Sequence, residues 1–472
     1  MSADYIENRT FDEIRIGQTA ELQRTLTRED VDLFGKVSGD LGPTHMDDAY
    51  ARGTGARGVV GHNLWATSLI SSLLANVLPG PGTVYRGQSS SFHAPVELSD
   101  TLTARIRVRE RREGRVVVLD CDVRNQRGEP VMDGVAEVVA PAERMRLRLT
   151  EAPDVSVRRH DSFSVLLAAA AALEPVPTAV VHPADEVSLQ GAMEAAMDGY
   201  IRPILVGPVA RIRALADGLG IDLGGVETVD VEHSHAAAER AVDLIREGRA
   251  EILMKGSLHT DELLSAVLHK AYGIRTARRI SHVFVMDVPT YPKLLLISDA
   301  AVNIAPDLGV KADICQNAID LARTLGVERP KVAILSAVET ISPRLQSTLD
   351  AAALCKMAER GQIQGGVLDG PLAMDNAINL EAARLKKIAS EVAGAADVLI
   401  VPDLEAGNIL SKQLIYLANA EAAGVVLGAR VPIVLTSRAD GVRTRRASAA
   451  AAVLHAHAMR QGLTPKDLAK GL

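Results

Sequence analysis

The sequence predicts a multidomain chain of α+β and α/β parts: an antiparallel sheet wrapped around a helix, then a longer α/β region of two lobes around a cleft. Three observations predict this. The 472 residues exceed what one core usually organises, because domains cluster near about 100–200 residues. Strand-like segments succeed one another over the first third and alternate with helical ones thereafter. Between the two patterns, 141–160 is rich in Arg, Glu and Pro without periodicity, the composition of an exposed connector. The expected division is therefore 1–140, a linker over 141–160, and 161–472.

In the first third, 28–38 and 61–78 read as helices, the second long and largely apolar. The segments 83–92, 102–110, 115–125 and 130–139 alternate or are β-branched, with turns at Glu113-Gly114 and Arg127-Gly128. Beyond the linker, short apolar runs recur at 203–206, 226–231, 251–254, 282–286, 293–297, 331–335, 367–369, 398–401 and 432–436, with helical stretches such as 236–247 between them. Such runs suit strands buried on both faces. Ligands in these sheets lie outside the carboxyl ends of the strands, so the polar residues after each run are the candidates.

Composition narrows the function. Apolar residues make up 47% of the chain, charged ones 24%, and the net charge is −7. That balance argues against a nucleic-acid or membrane surface and for a small ligand met by local Lys and Arg. Cys121, Cys315 and Cys355 have neither pair nor metal spacing, and the first ten residues lack a leader's apolar core. A cytoplasmic location is expected. The apolar stretch 165–173 is stopped by Glu174 and Pro175, short of the roughly 20 residues a membrane helix needs. No P-loop and no G-x-G-x-x-G after a strand are present, no cluster has metal spacing, and His269, His455 and His457 read as helix-face residues.

Two regions can carry chemistry. Asp40 and His45 flank a loop stiffened by Pro43; together an acceptor and an imidazole can activate water, or each can serve a turn or a cap. In the longer region, Lys255, Gly256, Ser257 and Thr260 follow one strand, Asp299 and Asn303 another, Asp369-Gly370 a third, and Ser437, Arg438 and Asp440 a fourth. Hydroxyls, cations and free N–H groups at a helix start favour an anion, and the same residues suit ordinary capped turns.

The segment SGDLGPTHMDDAYA, with VVGHNLW, LPGPGTVYRGQSSSFHAPV and SDTLTA after it, resembles the MaoC-type (R)-specific enoyl-CoA hydratase family across nearly all of 10–140. The resemblance implies a hot-dog fold, hydration carried by Asp40 and His45, and a backbone N–H at Asn63 facing the thioester oxygen. Two positions depart from the family. Gly42 stands where its D-x-N-P-x-H signature has Asn, and its H-G-M motif reads His62-Asn63-Leu64. Two readings stay open: a hydratase, or a hot-dog that only dimerises or binds CoA thioesters.

Further along, LMKGSLHTDELLSAVL, RRISHVFVMDVP, LLLISDAAVNIAPD, GGVLDGPLAMDNAI, ADVLIVPDLEAGNIL and VLTSRADGVRTRRAS occur in order. They resemble the phosphate acetyltransferase and phosphate butyryltransferase family over about 160–465, with KGSLHTD and LTSRAD closer to the butyryl branch. The resemblance implies two α/β subdomains of isocitrate dehydrogenase-like architecture and a homo-oligomer. Its substrates would be acyl-CoA, phosphate and acyl phosphate, with no cofactor beyond coenzyme A itself. Arg438 would hold the phosphoryl group and Ser437 the oxyanion or departing thiolate. Where the acetyl branch has a carboxylate past the Ser-Arg pair, this chain has Arg443 and Thr444, leaving Asp440 nearest and Asp299 as another base. An oxidoreductase of the same architecture would lack its nucleotide fingerprint.

Overall fold

The computed structural model describes residues 5–148, 155, 162–437 and 440–462. The chain divides into two compact units, Met1–Val157 and Arg158–Leu472.

In the N-terminal unit, helix Asn63–Asn76 buries Trp65, Ala66, Leu69, Ile70, Leu73 and Leu74, a spacing that puts one apolar stripe on the core side. Pro79, two residues past its C-cap Val77, keeps the helix from continuing. Around it curls an antiparallel five-stranded sheet of β2 (Thr19–Thr25), β3 (Val84–Phe92), β4 (Thr101–Arg112), β5 (Val116–Arg124) and β6 (Pro130–Val139), in the order β2-β4-β5-β6-β3. Leu102, Ala104, Ile106 and Val108 of β4 face inward while Arg105 and Arg107 face out, the period of two that a half-buried sheet requires. This is the hot-dog arrangement.

The connector expected over 141–160 is only partly one. Residues Arg146–Arg148 form strand β7, paired antiparallel with β1 (Tyr5–Glu7). Asn8 fastens the same stretch by accepting the Met145 amide at 2.8 Å and donating to the Glu143 carbonyl at 2.8 Å. Residues 141–148 thus belong to the first unit; 149–154 and 156–161 lie outside the described residues.

The C-terminal unit is built on one continuous sheet rather than two separate ones. Its strands are β8 (Val176–Val181), β9 (Ile201–Gly207), β10 (Glu227–Asp230), β11 (Ile252–Lys255), β12 (Ser281–Asp287), β13 (Leu295–Ser298), β14 (Lys331–Leu335), β15 (Val367–Leu372), β16 (Val398–Ile400), β17 (Glu421–Leu427) and β18 (Ile433–Val434). They run in the order β10-β9-β8-β11-β18-β17-β12-β13-β16-β14-β15. The first five are mutually parallel, as are the last four, but antiparallel pairs at β18-β17, β17-β12 and β12-β13 join the halves, so the halves point in opposite directions.

The two lobes survive on one face only. A single core cluster containing Val283, Val285, Ala423, Val425 and Leu427 covers one side of the sheet. On the other side the cores are separate: Val426, Ile280 and Leu435 belong to one, Met286 and Ala422 to the other. Between them stand His282 and Gly424. A Cβ on Gly424 would lie 2.5 Å from the Leu435 carbonyl oxygen and 2.8 Å from His282 Nε2, so only glycine fits where the lobes meet. Among the described residues no helix is long and apolar enough to cross a membrane.

Candidate active sites

In the N-terminal unit, Asp40 and His45 meet beside the start of helix Asn63–Asn76. His45 Nδ1 lies 2.7 Å from the Val60 carbonyl; a carbonyl can only accept, so Nδ1 carries a proton, and in the neutral tautomer this selects, Nε2 bears the lone pair. That Nε2 is 3.9 Å from Asp40 Oδ2, too far for a direct bond and a suitable gap for a water donating one hydrogen to each. Asp40 Oδ1 accepts the Gly42 amide at 3.3 Å. Gly42 has φ −52 and ψ 139, angles open to any residue. A Cβ there would meet Asp40 Oδ1 at 3.3 Å, so the missing side chain leaves the Asp40–His45 approach clear.

His62 went unnoticed in the sequence as a functional side chain. It is 3% exposed, donates Nε2–H to the Asp40 carbonyl at 2.9 Å, and stacks on His45 with ring centroids 3.9 Å apart. Its Nδ1 is buried without a partner. Asp40, His45 and His62 bring possible ligand atoms within 4.8 Å of one another, but stacked rings send their lone pairs along near-parallel planes. The trio therefore suits proton transfer better than an ion. Asn63 is the first residue of the helix, next to a cleft of about 700 Å³ whose apolar wall includes Phe34, Leu64, Phe92 and Pro95.

The second site lies at the carboxyl ends of β11 and β18, which are parallel neighbours through Met254 and Val434. Lys255 closes β11 at 4% exposure. The turn after β18 is held from two sides: the buried Arg445 donates to Thr436 Oγ1 at 2.8 Å and to the Ser437 carbonyl at 3.1 Å, and the half-buried Asp440 accepts the Ser437 amide through Oδ2 at 2.6 Å. Burial raises the Asp440 carboxyl above the ordinary range, against the pull of the Ser437 amide and the charges of Arg445 and Lys255. Arg438 lies outside the described residues.

Several expected contacts have other occupations. Ser257 Oγ donates to the His182 carbonyl at 2.9 Å and accepts the Ala184 amide at 3.2 Å, so its hydroxyl ties the β11 turn to the end of β8. Gly256 is needed by the same packing, since a Cβ would stand 2.3 Å from the Val181 carbonyl oxygen. Thr260 opens helix Thr260–Leu268.

Asp299 and Asn303 follow β13, four places from β11 in the sheet and opposite to it in direction, but Asp299 reaches the seam beside Leu435 through His282, whose amide it accepts at 3.2 Å and whose ring meets the Leu435 carbonyl around Gly424. Asp299 is 2% exposed, and its carboxylate accepts the amides of His282, Ala301, Val302 and Asn303. With every lone pair engaged it is a scaffold for its loop and not a free base, while Asn303 Nδ2 bonds the Ile280 carbonyl at 2.9 Å. Asp369 falls within edge strand β15. The gathered strand ends thus form one cluster of Lys255, Thr436, Ser437, Asp440 and Arg445, with Asp299 joined to the Leu435 side of the turn through His282 and Asp369 on the edge strand.

A buried cation cluster on an α/β sheet, and a carboxylate–imidazole pair in a hot-dog unit, define a two-domain enzyme. Residues 235–453 match the family described as "Phosphate acetyl/butaryl transferase", and 12–126 match "MaoC like domain". The chain is 65% identical to a phosphate acetyltransferase of Rhizobium meliloti over 62% of this chain and 93% of that one. It belongs to the phosphate acetyl/butyryltransferase family. A phosphate butyryltransferase of Clostridium acetobutylicum is 41% identical over 62% of this chain and 97% of its own length. A solved branched-chain phosphotransacylase from Enterococcus faecalis V583 superposes with a TM-score of 0.53 at 29% identity, covering 60% of this chain and 99% of that one.

Proposed function

We propose that the C-terminal unit transfers an acyl group between coenzyme A and phosphate. The observation that carries this reading is the pair of buried cations, Lys255 and Arg445, at the Thr436–Ser437 turn. Charge this deep requires a compensating anion or strong hydrogen bonds. In the reaction a phosphate oxygen attacks the thioester carbonyl, the C–S bond breaks, and acyl phosphate and coenzyme A leave. The Ser437 hydroxyl and the start of helix Val442–Arg460 would stabilise charge on the oxyanion or the departing thiolate. Arg438 keeps the phosphate role that its family motif implies. Coenzyme A is a substrate, no other cofactor enters, and the setting is a cytoplasmic homo-oligomer.

The test is phosphate-dependent release of coenzyme A from a chain-length series of acyl-CoAs. Higher identity to relatives named phosphate acetyltransferase supports acetyl-CoA as the best substrate. Arg438→Gln should lower that rate by about 100-fold or more, the scale of one lost oxyanion contact; unchanged turnover and phosphate dependence would remove Arg438 from the site.

A second reading concerns the N-terminal unit, which we propose hydrates an enoyl-CoA. Its support is the lone pair of His45 Nε2 opposite Asp40 at 3.9 Å. A water held between two acceptors is oriented to give up a proton to one of them as its oxygen attacks the β-carbon; the π pair moves onto the thioester oxygen, toward which Asn63's amide would donate, and the same proton is returned to the α-carbon as the carbonyl reforms. His45→Gln should slow loss of crotonyl-CoA absorbance by about 100- to 10,000-fold while leaving acyl transfer intact. If the unaltered chain gives no rate above background, the unit is a thioester-binding or dimerisation module.

A further inference from the structure

The turn that opens helix Val442–Arg460 already holds an anion of its own. Asp440 reaches back to the Ser437 amide at 2.6 Å, and the positive charges of Arg445 and Lys255 both act on its carboxylate. Arg445 is 3% exposed. Of the five N–H donors a guanidinium carries, it directs one to Thr436 Oγ1 and one to the Ser437 carbonyl, and its Nε is buried with no partner. An unmade donor at such depth is costly, and it belongs to a planar guanidinium fork of the kind that matches phosphate oxygens.

We propose that Arg445 and Lys255 join Arg438 in holding phosphate, and that Asp440 occupies the anion position beside them until phosphate displaces it. This rests on the transfer reaction proposed above. Arg443 and Glu421 line a cavity of about 200 Å³ with Asp440, but they pair with each other at 3.0 Å. Among the described residues the field on Asp440 is set by Arg445 from the helix and Lys255 from β11, while Asp185 shares Arg445 with it. Asp440 acts as a competitor in this arrangement, and its removal strengthens phosphate binding. Because burial raises its carboxyl, lowering the pH neutralises it and weakens the competition.

The test uses the full chain, with inorganic phosphate binding measured by calorimetry and the KM for phosphate measured by turnover between pH 5.5 and 8. Asp440→Asn and Asp440→Ser, which both keep an acceptor for the Ser437 amide, should tighten phosphate by about tenfold at pH 8. The ratio of unaltered chain to variant should shrink toward one as the pH falls. Arg445→Met should weaken phosphate by at least the same factor while leaving the KM for acyl-CoA within about twofold. Unchanged or weaker phosphate binding in both Asp440 variants overturns the inference, as does an Arg445→Met loss shared equally by the two substrates. Absence of turnover in the unaltered chain strikes the transfer reading instead, and calorimetry then judges the phosphate site by itself.

Discussion

Arg443, Arg445 and Arg446 stand within four positions of one helix and meet three different ends. Arg443 pairs with Glu421 at 3.0 Å, Arg446 with Asp198 at 2.6 Å, and Arg445 turns inward to the Ser437 loop. A helix rotates about 100° per residue, so the string RTRR cannot say which guanidinium is buried until the packed face is known. That is why Arg445 was illegible in the sequence while Ser437 and Asp440 were legible. Titration behaves similarly. Burial pushes His455, partnered by Thr324, down to about 4, and lowers His282 as well. Both imidazoles are neutral in the folded chain at pH 7, whereas the unfolded chain takes up their protons below about 6.5. More protons bound by the unfolded state means stability that rises with pH across that window and falls on acidification. Unfolding followed between pH 7 and 4.5 should therefore show a falling midpoint, with a shallower slope in His455→Gln; equal slopes would assign the acid sensitivity elsewhere.

At the scale of elements, the strands of the C-terminal sheet that escaped sequence reading are β8, third in the order, and β17, at its middle. Strand β17 reads EAAGVVL, and Ala-Ala-Gly carries no strand signal. The glycine is there because His282 and the Leu435 carbonyl come within 2.8 and 2.5 Å of where a Cβ would be, a contact made by residues far away in sequence. Strand β8 begins with Val176-Pro177, and proline usually argues against an interior strand. Gly424→Ala should destabilise the C-terminal unit by about 1–3 kcal/mol, the usual cost of overpacking a filled site, read as a lower urea midpoint. It should also reduce acyl transfer, since the displaced carbonyl leads directly into Thr436 and Ser437. A stable, fully active variant would mean that the lobes can part at this point without penalty.

For the molecule as a whole, ordered motif blocks made both units legible, because local strings survive in one dimension. The continuity of the C-terminal sheet was not legible: the pairing of β17 with β12 joins segments more than a hundred residues apart, and nothing local encodes their direction. The two units have separate cores, and the chain's one tryptophan, Trp65, lies in the first of them at 5% exposure. Its fluorescence reports on the N-terminal unit alone, while far-UV circular dichroism reports on both. Urea transitions followed by the two probes should therefore not coincide; superimposable curves would mean that the units unfold as one.

The ladder between β12 and β17 extends over all seven residues of each strand, and an unbroken core backs it on one face. No loop residue lies along that seam to act as a hinge. The two halves of the sheet are therefore coupled through a full row of backbone hydrogen bonds and one shared core, so that a strain applied to one half is carried across the seam to the other.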